Sequence, residues 1–356
     1  MTITKSRTPL RERSWAPALT LILLSPLVGE VLNGATRLSY IAVFVPQVMV
    51  WGCGTLLIRE TVHRWGGSWP STIALAAALS IFIEFLVLQT SVAPIPWLTM
   101  ASIPVYDRIW GINWLWFAYM LGYEIVWVVL VPILLTMLVF PERRSEPWLR
   151  ARGLGLVALV FALGSAGLWV LWTRLAVPNA FGQPVYDPPL WTLAAALTGC
   201  ALAVAIGWAL RTSPRAQAPT GGTPMAPLPL GLAIAGLALP WWGLIVLVFV
   251  PRPLPLVPVL GLATMWAGAA TWLIARWSRH PGWDDRHRFA IACSALLVTM
   301  AAGFLGSQFW PLIDVIAKLA MNVVATIWVA RLGRTVWRRT AAQVASAAVM
   351  NAALRP

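Results

Sequence analysis

About ten runs of mostly apolar residues, each near 20 residues long, recur along this chain of 356 residues. A helix needs about 20 consecutive apolar residues to cross the hydrocarbon core of a bilayer. Inside lipid such a run must be helical, because a helix satisfies its own backbone hydrogen bonds. The sequence therefore predicts an all-α, polytopic transmembrane helical bundle of about ten spans. We place the spans near 17–34, 39–58, 71–91, 112–140, 153–176, 190–210, 228–250, 254–277, 289–309 and 311–330.

The chain carries too little charge for a water-soluble protein of this size. Charged residues make up 11% of the sequence and hydrophobic residues 59%, whereas soluble domains are about 25% charged. Charge this sparse cannot cover a surface that faces water. The expected surroundings of the protein are therefore lipid.

The basic residues alternate between the two sides of the predicted membrane. Connections on one side hold 21 of the 26 Lys and Arg residues, and the other side holds only Arg37, Arg108, Arg174 and Arg252. By the positive-inside rule both chain ends are cytoplasmic, in the inner or plasma membrane. The net charge of +14 lies in short clusters, which fits an anionic bilayer as partner and not a nucleic acid.

The connections divide the chain into five segments. A basic cytoplasmic N-terminus (1–16) precedes a six-helix membrane segment (17–210). A Pro-, Thr- and Gly-rich cytoplasmic linker (211–227) leads to a four-helix membrane segment (228–336) and a cytoplasmic tail (337–356). The outer loop 92–111 is long and semi-apolar, so it either lies on the surface or folds back as a lid.

Ionisable residues inside the predicted spans are the candidates for function, because charge in lipid is costly. They are Glu30, Glu84, Glu124 and the pair Asp314 and Lys318. The last two lie four residues apart, so they share one helix face and are expected to pair. Self-neutralisation of that pair is favoured over a catalytic or ion-coupling role.

Glu124 lies near the middle of the fourth predicted span. Phe117 and Trp127 are spaced to share its helical stripe, and Tyr123 is adjacent. An acid beside aromatic faces suits the protonation of an apolar substrate, followed by stabilisation of a carbocation through cation–π contacts.

A structural role for Glu124 is equally open. The carboxyl would then bond across helices to a group such as Ser80 or Asn322. Glu84 and Glu30 lie at similar heights in their spans, so three carboxyls can converge on one polar pocket. Depth alone supports this convergence, because the sequence does not fix the rotation of each helix.

Other polar residues point to solvated boundaries. Arg59 and Glu60 end the second span and are expected to reach water. The loop 280–288 holds two acids and two histidines, but a solvated loop is favoured there over a divalent-ion site. Neither a metal nor a cofactor is expected. All three histidines fall in predicted cytoplasmic loops, namely His63, His280 and His287.

Five segments resemble a family of polytopic bacterial and archaeal membrane proteins that is uncharacterised. They are SPLVGEVLNGAT (25–36), WGCGTLLIRE (51–60), RWGGSWP (64–70), GINWLWF (111–117) and VPILLTMLVFPERR (131–144). The resemblance covers about 25–154. It implies a Glu-Glu pair in the third span and a histidine in the fourth, an arrangement similar to the glutamic intramembrane proteases related to CAAX processing.

This chain departs from that pattern. Ile83 stands at the first Glu position, Glu84 at the second and Glu124 at the histidine position. Two acids therefore replace an acid and a base, which argues against the family-type protease mechanism. Two acids with many aromatics are similar in chemistry to the membrane-bound meroterpenoid cyclases, an analogy that is not one of sequence.

The leading hypothesis is an intramembrane enzyme that acts on an isoprenoid or lipid, most concretely a proton-initiated terpene cyclase of the isomerase or lyase type. Glu124 is its general acid, and Glu84 is the partner or terminating base. The predicted ligand is an apolar, prenylated small molecule. The substrate-binding residues are predicted to be Trp127, Phe117, Tyr123, Glu30 and Asp314.

Two alternatives remain. A secondary transporter with a five-plus-five inverted repeat would break span 1 at Pro26 and Gly29 and span 6 at Gly199. Its three glutamates would carry protons or cations. A non-catalytic membrane partner or immunity protein is the third hypothesis.

Overall fold

A computed structural model describes residues 15–93, 108–212, 224–249 and 255–353. These residues form an all-α architecture, apart from one isolated bridge between Ile109 and Ile112. The described ranges contain ten principal helices. They are α1 (Ala16–Val31), α2 (Leu38–Arg64), α3 (Trp69–Val87), α4 (Trp114–Val139), α5 (Ala151–Asn179), α6 (Leu190–Ala209), α7 (Pro227–Phe249), α8 (Leu256–Ser278), α9 (Asp285–Ala302) and α10 (Leu312–Ala353).

Among the described residues, eight of these helices are long and apolar enough to cross a membrane. Helix α1 is apolar but shorter, and α9 begins with the charged run Asp285–Arg288. These helices are those of an all-helical membrane protein, as the sequence predicts. The long loop at 92–111 and the linker at 211–227 lie largely outside the described residues.

Helix α4 forms the centre of the bundle. It packs against α1, α3, α7, α8, α9 and α10. In the apolar windows of α2, α3 and α4, 50, 56 and 61% of the residues are buried, against 11% in α8 and 17% in α6. The core thus lies among the early helices, and the later ones surround it.

Each of the first four helices contains a π-helical segment. These segments are Leu27–Val31 in α1, Val48–Gly52 in α2, Ile83–Val87 in α3 and Glu124–Leu130 in α4. A fifth lies in α5. Such segments are rare and are frequent at functional sites.

Hydroxyl groups from neighbouring helices stabilise the widened turns. The Val128 carbonyl accepts hydrogen bonds from Ser25 (2.8 Å) and Thr55 (3.2 Å), and the Tyr123 hydroxyl donates to the Gly29 carbonyl. Because π turns perturb the regular backbone ladder, these side chains supply partners that the ladder alone does not.

Glu60 and Arg59 are buried, so the prediction that they reach water is wrong. Their exposed fractions are 0 and 6%, and Arg59 Nη1 lies 2.5 Å from Glu60 Oε1. Glu60 also accepts the backbone N–H groups of Trp148 (3.0 Å) and Leu149 (3.2 Å). The pair therefore fixes the connection between α4 and α5 against the end of α2.

Only the first half of the segment 280–288 is a loop, with Pro281 and Gly282 exposed, because α9 begins at Asp285. Asp284 caps α9 and forms a capping box with His287, whose side chain is buried and stacked on Trp283. Burial tends to raise the pKa of Asp284, but hydrogen bonds from Arg286 and His287 outweigh it and hold this pKa below its ordinary value.

Asp285 joins three parts of the bundle. Its carboxylate binds Arg144 after α4 (2.8 Å), Arg288 on α9 (2.6 Å) and Arg339 on α10 (3.4 Å). Burial tends to raise the pKa of Asp285, but these arginines, chiefly Arg144 and Arg288, hold it below its ordinary value. The basic ends of α4, α9 and α10 therefore meet at one end of the molecule.

Candidate functional site

Glu84 is fully buried in the π segment of α3. One carboxyl oxygen, Oε2, accepts hydrogen bonds from Thr90 (2.5 Å), Ser91 (2.9 Å) and the indole N–H of Trp116 (3.1 Å). The chain turns back after α3, which brings both hydroxyls onto the carboxylate. The other oxygen, Oε1, has no partner among the described residues.

Glu124 is fully buried at the first position of the π segment in α4. Its Oε1 accepts a long hydrogen bond from the indole N–H of Trp51, at 3.3 Å. Its Oε2 lacks a partner within the described part of the chain. The Ser80 hydroxyl lies beside this carboxyl, as predicted, but it is not close enough or well enough aligned for a hydrogen bond of normal geometry.

Asn322 does not bond Glu124. Its amide donates to the Met300 carbonyl at 3.2 Å. The interhelical bond that holds Glu124 thus comes from Trp51 on α2, and the expected alternative of Asn322 is wrong.

Glu30 is half-buried in the π segment of α1. Gln47 on α2 donates to its Oε2 at 3.2 Å, and the same amide donates to Thr36 at 2.7 Å. Gln47 therefore links the carboxyl to the connection between α1 and α2.

The structure brings the three glutamates together. Glu84 interacts electrostatically with both Glu124 and Glu30, and Glu30 interacts with Glu124. The unpartnered oxygens of Glu84 and Glu124 belong to this cluster, which we call the acid cluster (Glu30, Glu84 and Glu124). Each member occupies a π segment of a different helix, so the widened turns and the acids coincide.

Tyr123 lies beside the acid cluster and belongs to a stack of rings that also includes Trp127. Tyr119, Tyr123 and Trp127 stack with centroids 5.7 and 5.6 Å apart, and Trp242 on α7 meets all three edge-on at 5.8 Å. The Trp127 indole donates to the Ala295 carbonyl of α9 at 2.8 Å. The ring faces are thus covered by one another.

Trp127 does not share the stripe of Glu124, so that prediction is wrong. Glu124 faces α2 and α3, whereas Trp127 faces α7 and α9. The wide turn at Glu124–Leu130 advances less per residue than an α-helix, and it rotates Trp127 away. Spacing counted in regular α turns could not show this.

Phe117 lies in a separate apolar cluster. Its ring meets Phe85 at 4.9 Å and Trp114 at 6.2 Å, next to Val92 and Ile112. It faces α3, as Glu124 does, but stands two turns away along α4. The structure therefore does not bring Phe117 to Tyr123 and Trp127.

Asp314 and Lys318 have different partners, so the predicted pair does not form. Asp314 accepts the backbone N–H (2.9 Å) and the hydroxyl (2.7 Å) of Ser39. Lys318 donates to the carbonyls of Leu32 (2.7 Å) and Met300 (3.3 Å). One face of α10 thus holds both ends of the connection 32–39, and Asp314 stands apart from the acid cluster.

A surface groove of the bundle does not open onto the acid cluster. Its volume is about 580 Å³, and it lies between α9 and α10. A smaller one, of about 180 Å³, lies against α2, α3 and α5. The described residues include no group of three His, Cys, Asp or Glu side chains that could hold a metal ion.

Sequence reasoning missed the groups that hold the carboxyls. The sequence marked neither Trp51 nor Trp116 as a partner of a carboxyl, although their indole N–H groups donate to Glu124 and Glu84. The Gln-Thr-Ser run at 89–91, at the end of the third predicted span, was a signal for polar groups around Glu84. Nothing in the sequence marked Gln47 as a partner of Glu30.

No protein-family model, curated protein or solved structure matches this chain. The resemblance over 25–154 therefore rests on the five quoted segments. Glu30 lies within the first of these segments, and Glu124 lies between the segments 111–117 and 131–144.

Proposed function

We propose that the protein is an integral membrane enzyme whose acid cluster performs acid–base chemistry on an isoprenoid or lipid. Glu124 is the general acid that protonates the substrate, and Glu84 is the base that takes a proton from the resulting carbocation as the product forms. One observation carries the proposal: Glu84 Oε1 and Glu124 Oε2 are buried without partners among the described residues. Buried polar atoms are normally satisfied, so such a pair marks a place for a proton or a ligand.

The chemistry of two close carboxyls supports these roles. Like charges held close in a poorly solvated site repel, which favours one protonated and one ionised member. An isomerisation needs this combination, because one carbon gains a proton and another loses one. The reaction then conserves all atoms and needs no cofactor.

A proton-initiated terpene cyclase is the most concrete form of the proposal. Tyr123 and Trp127 would stabilise the cation, but their faces are covered within the ring stack. A substrate therefore reaches these rings only if α7, which carries Trp242, moves aside. The acids support the proposal more strongly than the aromatic rings do.

Glu124→Gln tests the general acid. With a farnesylated phenol supplied in membranes, we expect cyclic isomers of unchanged mass from the native protein and about 100-fold less from the variant. Chromatography separates the isomers. Glu142→Gln, an exposed acid outside the apolar segments, is the matched control and should retain full activity. Trp127→Leu should lower the yield less or change the product.

Equal expression of the variants in the membrane is measured alongside. If Glu124→Gln turns over as fast as the native chain, Glu124 is structural and is not the acid. A second substrate is the same farnesylated phenol with an epoxide at the end of its farnesyl chain. If the native protein leaves both compounds unchanged, the cyclase form of the proposal is wrong.

A proton- or cation-coupled carrier is the second candidate, favoured by Glu30. This third acid is less completely buried than the other two and interacts with both of them, so it lies on the side of the cluster nearest the surface. Against it, α6 runs without a break through Gly199, where a repeat would require one. In proteoliposomes with a pH gradient, Glu30→Gln should stop coupled flux if the chain is a carrier, and should leave isomerisation intact if it is an enzyme.

We further propose ten spans with both ends cytoplasmic, in the inner or plasma membrane. Helices α1 and α9 would complete the eight longer ones. The contacts of Asp285 support a common side for the basic ends. Reporter fusions after residues 145, 218 and 282 should report the cytoplasm, and fusions near 105 and 185 the outside. A cytoplasmic signal near 185 would contradict the arrangement.

A further inference from the structure

An apolar groove runs between α9 and α10 at the surface of the bundle. It is the cavity of about 580 Å³, and Phe289, Cys293 and Leu297 form its α9 wall. On α10, Gly333 makes room for the ring, because a Cβ there would lie 2.8 Å from Phe289 Cζ. From residue 326 to residue 334 the α10 wall extends about 12 Å, which suits a hydrocarbon chain.

Two arginines stand at one end of the groove. Arg334 and Arg338 are exposed, line the cavity and lie one turn apart on α10. Within the described residues neither guanidinium has a hydrogen bond or ion pair, whereas the neighbouring Arg339 turns to Asp285 and the Leu138 carbonyl. Like charges at this spacing repel, so an anion between them would be stabilising.

We propose that this groove binds an anionic phospholipid. Its phosphate lies between Arg334 and Arg338, and one acyl chain follows the apolar walls toward Leu297. Arginine recognises phosphate oxygens by paired N–H bonds. Basic pockets between transmembrane helices suit anionic headgroups, and anionic lipid is concentrated on the cytoplasmic leaflet. Trp337, which also lines this end, has the amphipathic ring expected at the membrane boundary.

The charge pattern decides against a second copy of the chain as the occupant. The groove wall is apolar, but its end is cationic, and a copy of this strongly basic chain would bring more positive charge to it. A lipid supplies both an apolar tail and a negative headgroup. The proposal depends on the membrane location of α9 and α10 and not on the activity of the acid cluster.

Native mass spectrometry of the full chain in a neutral detergent tests the proposal. Phosphatidylglycerol and phosphatidylcholine with identical acyl chains are titrated separately, with inorganic phosphate as a third arm. We expect phosphatidylglycerol to bind more tightly, and phosphate alone to bind weakly. Removing both arginines (R334Q/R338Q) should weaken phosphatidylglycerol by about 25-fold, at roughly fivefold for each arginine near an anionic headgroup.

Two matched variants separate charge from shape. R276Q/R279Q removes the same charge from exposed positions at the end of α8, outside the groove, and should weaken binding much less than R334Q/R338Q does. Ala330→Phe fills the groove from its exposed side and should reduce both lipids. An equal loss in R276Q/R279Q, equal affinity for the two lipids, or a lipid-independent dimer that Ala330→Phe disrupts would overturn the proposal.

Discussion

The inner helices α2–α4 and the outer helices α5, α6 and α8 are built differently, although both sets are apolar. In the inner set half or more of the window residues are buried, against 22, 17 and 11% in the outer set. The inner helices carry the buried acids Glu60, Glu84 and Glu124, whereas the outer helices expose large side chains such as Leu163, Leu197 and Met265. Apolar exposure costs nothing in lipid, so polar contacts and close packing hold the centre.

Buried glycines show how closely the inner helices approach. A Cβ at Gly52 would lie 2.1 Å from the Ile22 carbonyl oxygen, and one at Gly29 would lie 2.6 Å from a methyl of Val128. By contrast, Gly236 on α7 has nothing within 4 Å. Small residues therefore determine the spacing of α1, α2 and α4, and with it the distance between the acids they carry.

Loss of the Glu60 charge should cause the largest change in stability. Glu60→Gln leaves the Arg59 charge buried without its counter-ion, at a cost of about 3–5 kcal/mol. The matched outer pair is Arg174–Asp187, in which Asp187 is 73% exposed, so Asp187→Asn should cost at most about 1 kcal/mol. Unfolding in SDS, followed by tryptophan fluorescence, compares the two. Similar losses would show that the inner and outer ion pairs do not differ.

Adding one methyl group should lower the free energy of unfolding in the closely packed inner region, and should leave it unchanged or raise it on the open outer surface. Gly52→Ala forces α1 away from α2 and should destabilise the protein by about 1–3 kcal/mol. Gly236→Ala adds the same methyl to an open helix surface and should be neutral or stabilising by up to about 1 kcal/mol. A tolerated Gly52→Ala, in the same unfolding assay, would contradict the close approach at the core.

The smallest expected change in stability is the loss of the Asp285 contribution at acidic pH. The pKa of Asp285 is held below its ordinary value of about 3.9, so its contribution to stability is fully present above that value and is lost as pH falls through the folded pKa. The native protein should therefore be more stable than Asp285→Asn by about 1 kcal/mol at pH 6. The difference should shrink below about pH 4. A difference that stays constant down to pH 3 would mean that packing, and not charge, explains it.

The sequence predicted where helices lie better than how they face one another. Ten apolar runs correspond to α1–α10, because a bilayer-length run has few other solutions. The rotation of each helix about its axis was harder to predict. The π segment after Tyr123 turns Trp127 away from Glu124, and no residue pattern predicted that segment. Buried ion pairs were also missed. Arg59 and Glu60 resemble a boundary pair, and only the fold shows that the 141–150 connection covers them.

The hold of α10 on the connection 32–39 has a consequence for biogenesis. Ser39 is bound by Asp314 and Leu32 by Lys318, so the partners are 275 and 286 residues apart in the chain. At a synthesis rate of about 5–20 residues per second, the later partner emerges about 15 to 60 seconds after the earlier one. During that interval the connection 32–39, which follows Glu30, lacks its hydrogen bonds to Asp314 and Lys318. A helix made late in synthesis therefore completes a part of the molecule that was made much earlier.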